Sequence, residues 1–211
     1  MKVKVCGITS YEDAAMALDQ GVDALGFNFY PPSPRYIKPA DAWAITRRLP
    51  PFTVCVGLFV NVPNPVLAAG MALNAGVRVL QLHGNEGPEY CRKLWNWPVI
   101  KAVRIGSDGI DENLKEYEVQ AFLLDSKDDI LFGGTGKPFD WRRVKRIKIV
   151  RPVILAGGLR PDNVREAIRT VVPYAVDVCS GVEKAPGKKD AAKLSEFMNE
   201  VRNASDSLQR A

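Results

Sequence analysis

Two residues that end apolar runs are of the types that move protons. Cys6 closes the run at residues 2–6, and Asp125 follows Ala121-Phe122-Leu123-Leu124. A thiolate can act as a base or a nucleophile. A free thiol has a pKa of about 8.5, so only a few per cent is ionised at about pH 7. A neighbouring cation such as Lys4 would raise that fraction if it points inward. The plain alternative for a cysteine in an apolar strand is a small buried hydrophobe. Asp125 can be a general acid, a metal ligand or half of a buried ion pair. As an acid it must hold a proton, and an unperturbed aspartate, with a pKa of about 3.9, is about one part in a thousand protonated near pH 7. A site that raises this by roughly two to three units, at about 1.4 kcal/mol each, would make it serviceable.

Other residues could hold a substrate. Arg35, in Ser33-Pro34-Arg35-Tyr36, could clamp a carboxylate through its two-pronged guanidinium, or be a surface arginine in a proline-rich turn. His83 is the one histidine of the chain, and could serve the site or the core. Ala156-Gly157-Gly158 and Ser180-Gly181 each follow an apolar run. Glycine lets backbone N–H groups approach an anion closely. Either pair alone reads as an ordinary turn, but both together suggest a phosphate cradle. Gly133-Gly134-Thr135-Gly136-Lys137 could be a backbone-lined substrate loop, but it lacks the P-loop spacing.

These residues need a frame that brings distant segments together. Apolar runs at residues 2–6, 22–28, 54–60, 77–82, 98–103, 120–125, 153–156 and 174–178 read as strands. Most are continuous rather than alternating, as in parallel strands covered by helices. Helical stripes follow most of them: Tyr11, Ala14, Ala15, Leu18; Val66, Ala69, Gly70, Leu73; Val164, Ala167, Ile168, Val171; and Leu194, Phe197, Met198, Val201. Thr9 and Glu12 have capping-box spacing, and Asn64-Pro65 gives an N-cap followed by proline at the first helical position. The fifth unit is weakest, with a short helix at 109–117. Eight strand–helix units predict an α/β fold, a (β/α)8 barrel in a single domain, with an open doubly wound sheet as the rival. Residues 1–203 are expected to form the barrel. Residues 204–211 are expected as a polar tail, with fraying from Asn203. In such a barrel the chemistry belongs to the C-terminal strand ends. There stand Cys6, Asn28, Asn61, His83, Arg104, Asp125, Gly157-Gly158 and Asp177 to Gly181.

Composition narrows the classes. Of 211 residues, 46% are hydrophobic and 25% charged, which is ordinary for a water-soluble domain. No apolar run approaches the roughly 18 to 20 residues of a membrane span. The segment from Met1 to Cys6 is strand-like rather than a signal peptide, so a cytoplasmic protein is expected. The net charge of +5 suits an anionic small molecule. The basic cluster Arg142, Arg143, Lys145, Arg146 and Lys148 reads as a solvated helix face, and no nucleic-acid-binding pattern accompanies it. The cysteines Cys6, Cys55, Cys91 and Cys179 form no CxxC pair, so no metal is expected. Barrels of this kind occur as monomers or dimers, and either is expected.

Seven segments, in order, carry a family resemblance: KVCGIT (4–9), GFNFYPPSPRY (26–36), GLFVN (57–61), LQLHGNE (80–86), GGTGKPFDW (133–141), LAGGLRPDNV (155–164) and DVCSGVE (177–183). With them the chain resembles the phosphoribosylanthranilate isomerases of tryptophan biosynthesis along nearly its whole length. The resemblance implies an Amadori rearrangement of N-(5′-phosphoribosyl)anthranilate to 1-(2-carboxyphenylamino)-1-deoxyribulose 5-phosphate, without a cofactor. It implies Asp125 as the acid that opens the furanose ring and Cys6 as the base that takes the C2′ proton. Arg35 would face the anthranilate carboxylate, Asp177 would bond a ribose hydroxyl, and His83 would help to bind substrate. Gly157, Gly158, Ser180 and Gly181 would hold the phosphate. Cys179 departs from the family, where serine is commoner before Ser180, and leaves a second thiol beside the phosphate loop. Leu58 replaces a frequent valine, and Lys127 matches no family motif. The rivals are a non-catalytic phosphometabolite sensor, a metal-assisted ribulose-phosphate epimerase, which the single histidine disfavours, and a flavin barrel. The related histidine-pathway isomerases use two aspartates, so Cys6 disfavours that substrate.

Overall fold

A computed structural model describes residues 1–106, 113–126, 140–147 and 149–209, without the side chains of Ser126, Lys145, Arg146 and Gln209. Eight parallel strands close a barrel in chain order: β1 (Lys2–Cys6), β2 (Ala24–Asn28), β3 (Val54–Phe59), β4 (Val79–Leu82), β5 (Val99–Ile105), β6 (Ala121–Ser126), β7 (Val153–Leu155) and β8 (Ala175–Val178). Each lies within two residues of its predicted run, and closure settles the choice against an open sheet. Helices α1 (Tyr11–Asp19), α2 (Pro39–Thr46), α3 (Pro65–Asn74), α4 (Pro88–Arg92), α5 (Val164–Val171) and α6 (Ala191–Gln209) cover the outside. After β5 and β6 the described residues carry only 3-10 turns, Leu114–Glu116 and Trp141–Arg146. The weak fifth unit is therefore a single turn where it is described. The basic cluster lies on the second turn, with Arg142 exposed. The 133–137 glycine run, Lys127 and Lys148 lie outside the described residues. Among the described residues no helix is long and apolar enough to cross a membrane.

Strand residues alternate between two apolar layers. Val3, Val5, Leu25, Phe27, Leu80 and Leu82 point outward against the helices, where burial of each is worth roughly 1.5–3 kcal/mol. Val56, Ile100, Ala102, Leu123, Ile154 and Ala175 fill the barrel interior. At the C-terminal mouth this filling gives way to polar side chains.

Several local expectations need correction. Ser10, not Thr9, caps α1 by accepting from the Asp13 N–H at 3.3 Å. The Thr9 hydroxyl instead donates to the Gly187 carbonyl. Helix α3 turns its predicted stripe outward: Val66 is 76% and Leu73 58% exposed, while Ala68 and Ala72 face the core. Its sequence is apolar nearly all round, so periodicity cannot choose a face, and the small alanines let the helix approach the strands closely. Asn64 does cap it, accepting from the Val66 N–H at 2.8 Å. The C-terminal residues are not frayed from Asn203: α6 runs on to Gln209, and Ala204 is fully buried. A short hairpin unforeseen in the sequence, β9 (Glu183–Ala185) and β10 (Lys188–Lys189), follows β8.

Candidate active site

One cleft of about 650 Å³, partly open to solvent, occupies the C-terminal mouth. It gathers Cys6, Asn28, Arg35, His83, Asp125, Gly157, Gly158, Asp177 and Ser180, so the residues chosen from sequence meet in space. Asn61 and Arg104 lie outside it. The Asn61 N–H and side chain instead hold Glu86 and the Asn85 N–H. Leu58, Gln81, Ser33 and Cys179 complete much of the lining.

The β1–β8 side is dense with charge. Their register pairs Lys4 with Asp177 and Val5 with Val178, which aligns Cys6 with Cys179 one residue further on. Lys4 points inward, 2.8 Å from the Asp177 carboxylate, and both are buried. Gly26 on β2 leaves the room they need: a Cβ there would stand 2.9 Å from the Cys6 sulfur and 3.0 Å from Lys4 Nζ. Cys179 donates a hydrogen bond to Cys6, and this bond, with Lys4 and Lys189 outweighing burial, holds the Cys6 thiol well below the usual thiol range. Cys179 is pushed up correspondingly, foremost by that hydrogen bond and by burial. Its sulfur also lies 3.9 Å from a Glu183 carboxylate oxygen, a second acceptor that its one S–H can take in place of Cys6 and an anion that favours Cys179 keeping the proton.

One lysine here serves two acids. Burial would push Lys4 down, but Asp177 and Cys6 outweigh it and raise it well above the ordinary lysine value. Burial pushes Asp177 up to about 7 despite Lys4, and the Cys6 sulfur adds to the rise. One cation balances one negative charge well, and a second anion beside it is disfavoured. The thiolate wins that competition because Cys179 and Lys189 also favour it.

The hairpin braces this side from behind. Lys189 is fully buried and donates to the Cys6 carbonyl and, at 2.8 Å, to Glu183. Arg35 reaches the same carboxylate through Nε at 3.0 Å and Nη2 at 2.7 Å. Burial opposes the Glu183 charge, yet Arg35 and Lys189 hold its pKa below the ordinary value. Sequence reading missed Glu183 and Lys189. The Pro186-Gly187 turn, with Gly187 at φ +74°, was the available signal for their hairpin.

The opposite side is a hydrogen-bonded chain. His83 Nε2 lies 3.1 Å from Asp125 Oδ2, and its Nδ1 lies 2.8 Å from the Gln81 amide nitrogen. Gln81 was also missed, since within Leu-Gln-Leu it resembles any strand residue.

At the third side, Gly157 and Gly158 have φ of +81° and +66°, a left-handed pair that only glycine adopts freely. Such a turn aims successive N–H groups into a concavity. Gly181 sits behind the lining, where a Cβ would come within 1.9 Å of the Leu159 carbonyl oxygen. Its bare Cα lets the β7 and β8 loops close up. Among the described residues no cluster of three or more histidine, cysteine or acidic side chains is arranged to hold a metal.

The arrangement brings a thiol of lowered pKa, a carboxyl and a left-handed glycine pair around one cleft. A sequence profile of the family N-(5'phosphoribosyl)anthranilate (PRA) isomerase matches residues 3–200. The chain is 50% identical over 210 residues to an N-(5'-phosphoribosyl)anthranilate isomerase of Trichlorobacter lovleyi, covering 99% of this chain and 100% of that one. The fold is similar to phosphoribosyl anthranilate isomerase from Thermus thermophilus, with a TM-score of 0.88, 40% identity, and 96% and 99% of the two chains covered. It is also similar to a phosphoribosyl anthranilate isomerase solved in complex with reduced 1-(o-carboxyphenylamino)-1-deoxyribulose 5-phosphate, with a TM-score of 0.83, 41% identity and the same coverage.

Proposed function

The chain belongs to the N-(5'-phosphoribosyl)anthranilate isomerase family, and from that premise we propose that Cys6 and Asp125 are the base and acid of its Amadori rearrangement. As a member of that family it is an isomerase of tryptophan biosynthesis. The substrate is N-(5'-phosphoribosyl)anthranilate, and the product is 1-(2-carboxyphenylamino)-1-deoxyribulose 5-phosphate.

The observation that carries the residue roles is the pairing of a depressed thiol on β1 with a carboxyl on β6 across one cleft. Asp125 gives its proton to the furanose ring oxygen, and the C1′–O bond breaks to leave a Schiff base. The Cys6 thiolate then removes the C2′ proton, giving an enolamine that tautomerises to the ketone. Acid and base suffice for this sequence, since no electrons leave the substrate. Asp177 accepts from a ribose hydroxyl, and His83 helps to bind the substrate from the opposite wall. Gly157, Gly158 and Ser180 take the phosphate through backbone N–H groups, and Gly181 completes that cradle by letting the two loops close around it. Arg35, held by Glu183, faces the anthranilate carboxylate. The enzyme works in the cytoplasm as a monomer or homodimer, binding neither nucleic acid nor membrane.

Generating the substrate in situ and following the loss of its anthranilate fluorescence tests this. Cys6→Ala and Asp125→Asn are each expected to lose about 10²- to 10⁴-fold in kcat, the usual range for a positioned acid or base. Full turnover in either folded variant removes that residue from its role. No turnover by the folded parent, with a chelator present, sinks the isomerase reading.

A further inference from the structure

We propose that Gln81 is a positioning residue: its amide fixes His83 as the neutral Nε2–H tautomer and so decides which oxygen of Asp125 carries the transferable proton. The inference rests on Asp125 being the general acid.

The three side chains form a buried line, with Gln81 at 0%, His83 at 6% and Asp125 at 6% exposure. Gln81 and His83 are two residues apart along β4 and its end, so both face the barrel interior. Asp125 comes from β6, with β5 between them in the sheet order. Each ring nitrogen of His83 has its own contact: Nδ1 with Gln81 Nε2 at 2.8 Å, and Nε2 with Asp125 Oδ2 at 3.1 Å. An amide nitrogen only donates, so Nδ1 must accept, and a neutral ring that accepts at Nδ1 carries its proton on Nε2. That N–H donates to Oδ2. The oxygen accepting from the imidazole is then the carbonyl-like one, and the acid proton is left on Oδ1.

The reverse amide orientation would undo this. With Oε1 against the ring, Nδ1 would hold the proton. Nε2 would then either accept the proton of Asp125, tying up the acid, or be protonated too and hold Asp125 as a carboxylate. Burial favours the first orientation. Gln81 Oε1 is buried without a hydrogen-bond partner among the described residues. Turning the amide over would place two N–H donors at that spot, and buried unpaired N–H groups are rarer than under-satisfied carbonyl oxygens.

His83 is the only histidine, so ¹⁵N-histidine labelling gives one pair of ring nitrogens, and long-range proton–nitrogen correlation reads the tautomer without turnover. The parent is expected to show a protonated Nε2 and an unprotonated Nδ1. Gln81→Glu offers Nδ1 an acceptor and is expected to move a proton onto it. Gln81→Met removes the donor and supplies only a weak acceptor in its sulfur. kcat is expected to fall about 10-fold in Gln81→Met and about 100-fold in Gln81→Glu, with KM changed less than about threefold. A parent ring protonated at Nδ1, or a ring unmoved by Gln81→Glu, overturns the proposal whatever the activity. A moved tautomer with undiminished kcat in Gln81→Glu overturns it as well. If Asp125→Asn keeps full activity while the parent tautomer is as stated, the acid assignment is what has failed.

Discussion

The two walls of the cleft solve opposite problems by different means. A base and an acid, the roles proposed for Cys6 and Asp125, must be held in opposite protonation states within one pocket. On the β1–β8 wall the Cys179 hydrogen bond is backed by charge: Lys4 lies against Asp177, Lys189 and Arg35 hold Glu183, and the Cys6 thiol is depressed among them. On the β4–β6 wall the described contacts run from a neutral amide through an imidazole to Asp125, and what they set is hydrogen-bond direction. Charge acts at a distance and stabilises a thiolate wherever its proton goes. Hydrogen-bond direction is local and can dictate which of two oxygens bears a proton. A wall built on charge should fail when one cation is lost. A wall built on direction should fail when one donor is reversed.

The largest break in this contrast is expected from Lys4→Met. It leaves the Cys6 sulfur and Asp177 without their shared cation. Removing one partner of a buried ion pair typically costs about 3–5 kcal/mol, less here because Asp177, already pushed up to about 7, can take a proton. Turnover should fall about 10³-fold, and alkylation of Cys6 by iodoacetamide near pH 7 should slow. The ¹⁵N resonances of His83 should stay where they are, since the other wall is intact. Undiminished alkylation of Cys6 would mean that charge does not set its state.

How much of this was legible in the sequence depends on which face of a strand a residue takes. Cys6 and Asp125 stood out because each ends an apolar run. Lys4 could be named only conditionally. The segment Lys2-Val3-Lys4-Val5-Cys6 alternates as if lysines faced water, but both faces of a barrel strand are buried. Here Val3 and Val5 face the helices and Lys4 faces the barrel interior, against Asp177. Gln81 was hidden by the same ambiguity. Helix α3, apolar on every side, hid its inward face in Ala68 and Ala72. Glu183 and Lys189 were out of reach because their importance comes from Arg35 and Cys6, about 150 and 180 positions away, and no local pattern encodes such pairings. The strands themselves were legible to within two residues, since a run buried on both faces leaves a continuous apolar signature.

A smaller effect should appear in stability against pH. Asp177 titrates at about 7 in the folded protein against an ordinary value of 3.8. The folded state therefore binds the extra proton between those values. The stability from this group is fully present below pH 3.8 and is lost as pH rises through about 7. Asp177→Asn removes the titration. Urea midpoints at about pH 5 and pH 8 should show the parent losing more stability across the interval than the variant. Parallel losses would mean that Asp177 is ionised throughout, and that Lys4 balances two anions after all.

The smallest effect, and the one most particular to this chain, concerns Cys179. Its hydrogen bond is the foremost cause of the low Cys6 thiol. Cys179→Ala deletes the donor but leaves Lys4 and Lys189 in place, so the Cys6 thiol should rise without returning to its ordinary value. Cys179→Ser keeps a donor on the same stem and should stay close to the parent. The check is the pH dependence of Cys6 alkylation, followed on its own peptide so that buried Cys55 and Cys91 do not contribute. Its midpoint should move up for alanine and little for serine. kcat near pH 7 should fall by about tenfold for alanine, the scale of one hydrogen bond to a charged group. If alanine and serine behave alike, the cations alone set the thiolate, and the charged wall owes nothing to hydrogen-bond direction. If alanine costs as much as Lys4→Met, the thiolate is held by direction after all, and the contrast between the two walls collapses into one mechanism.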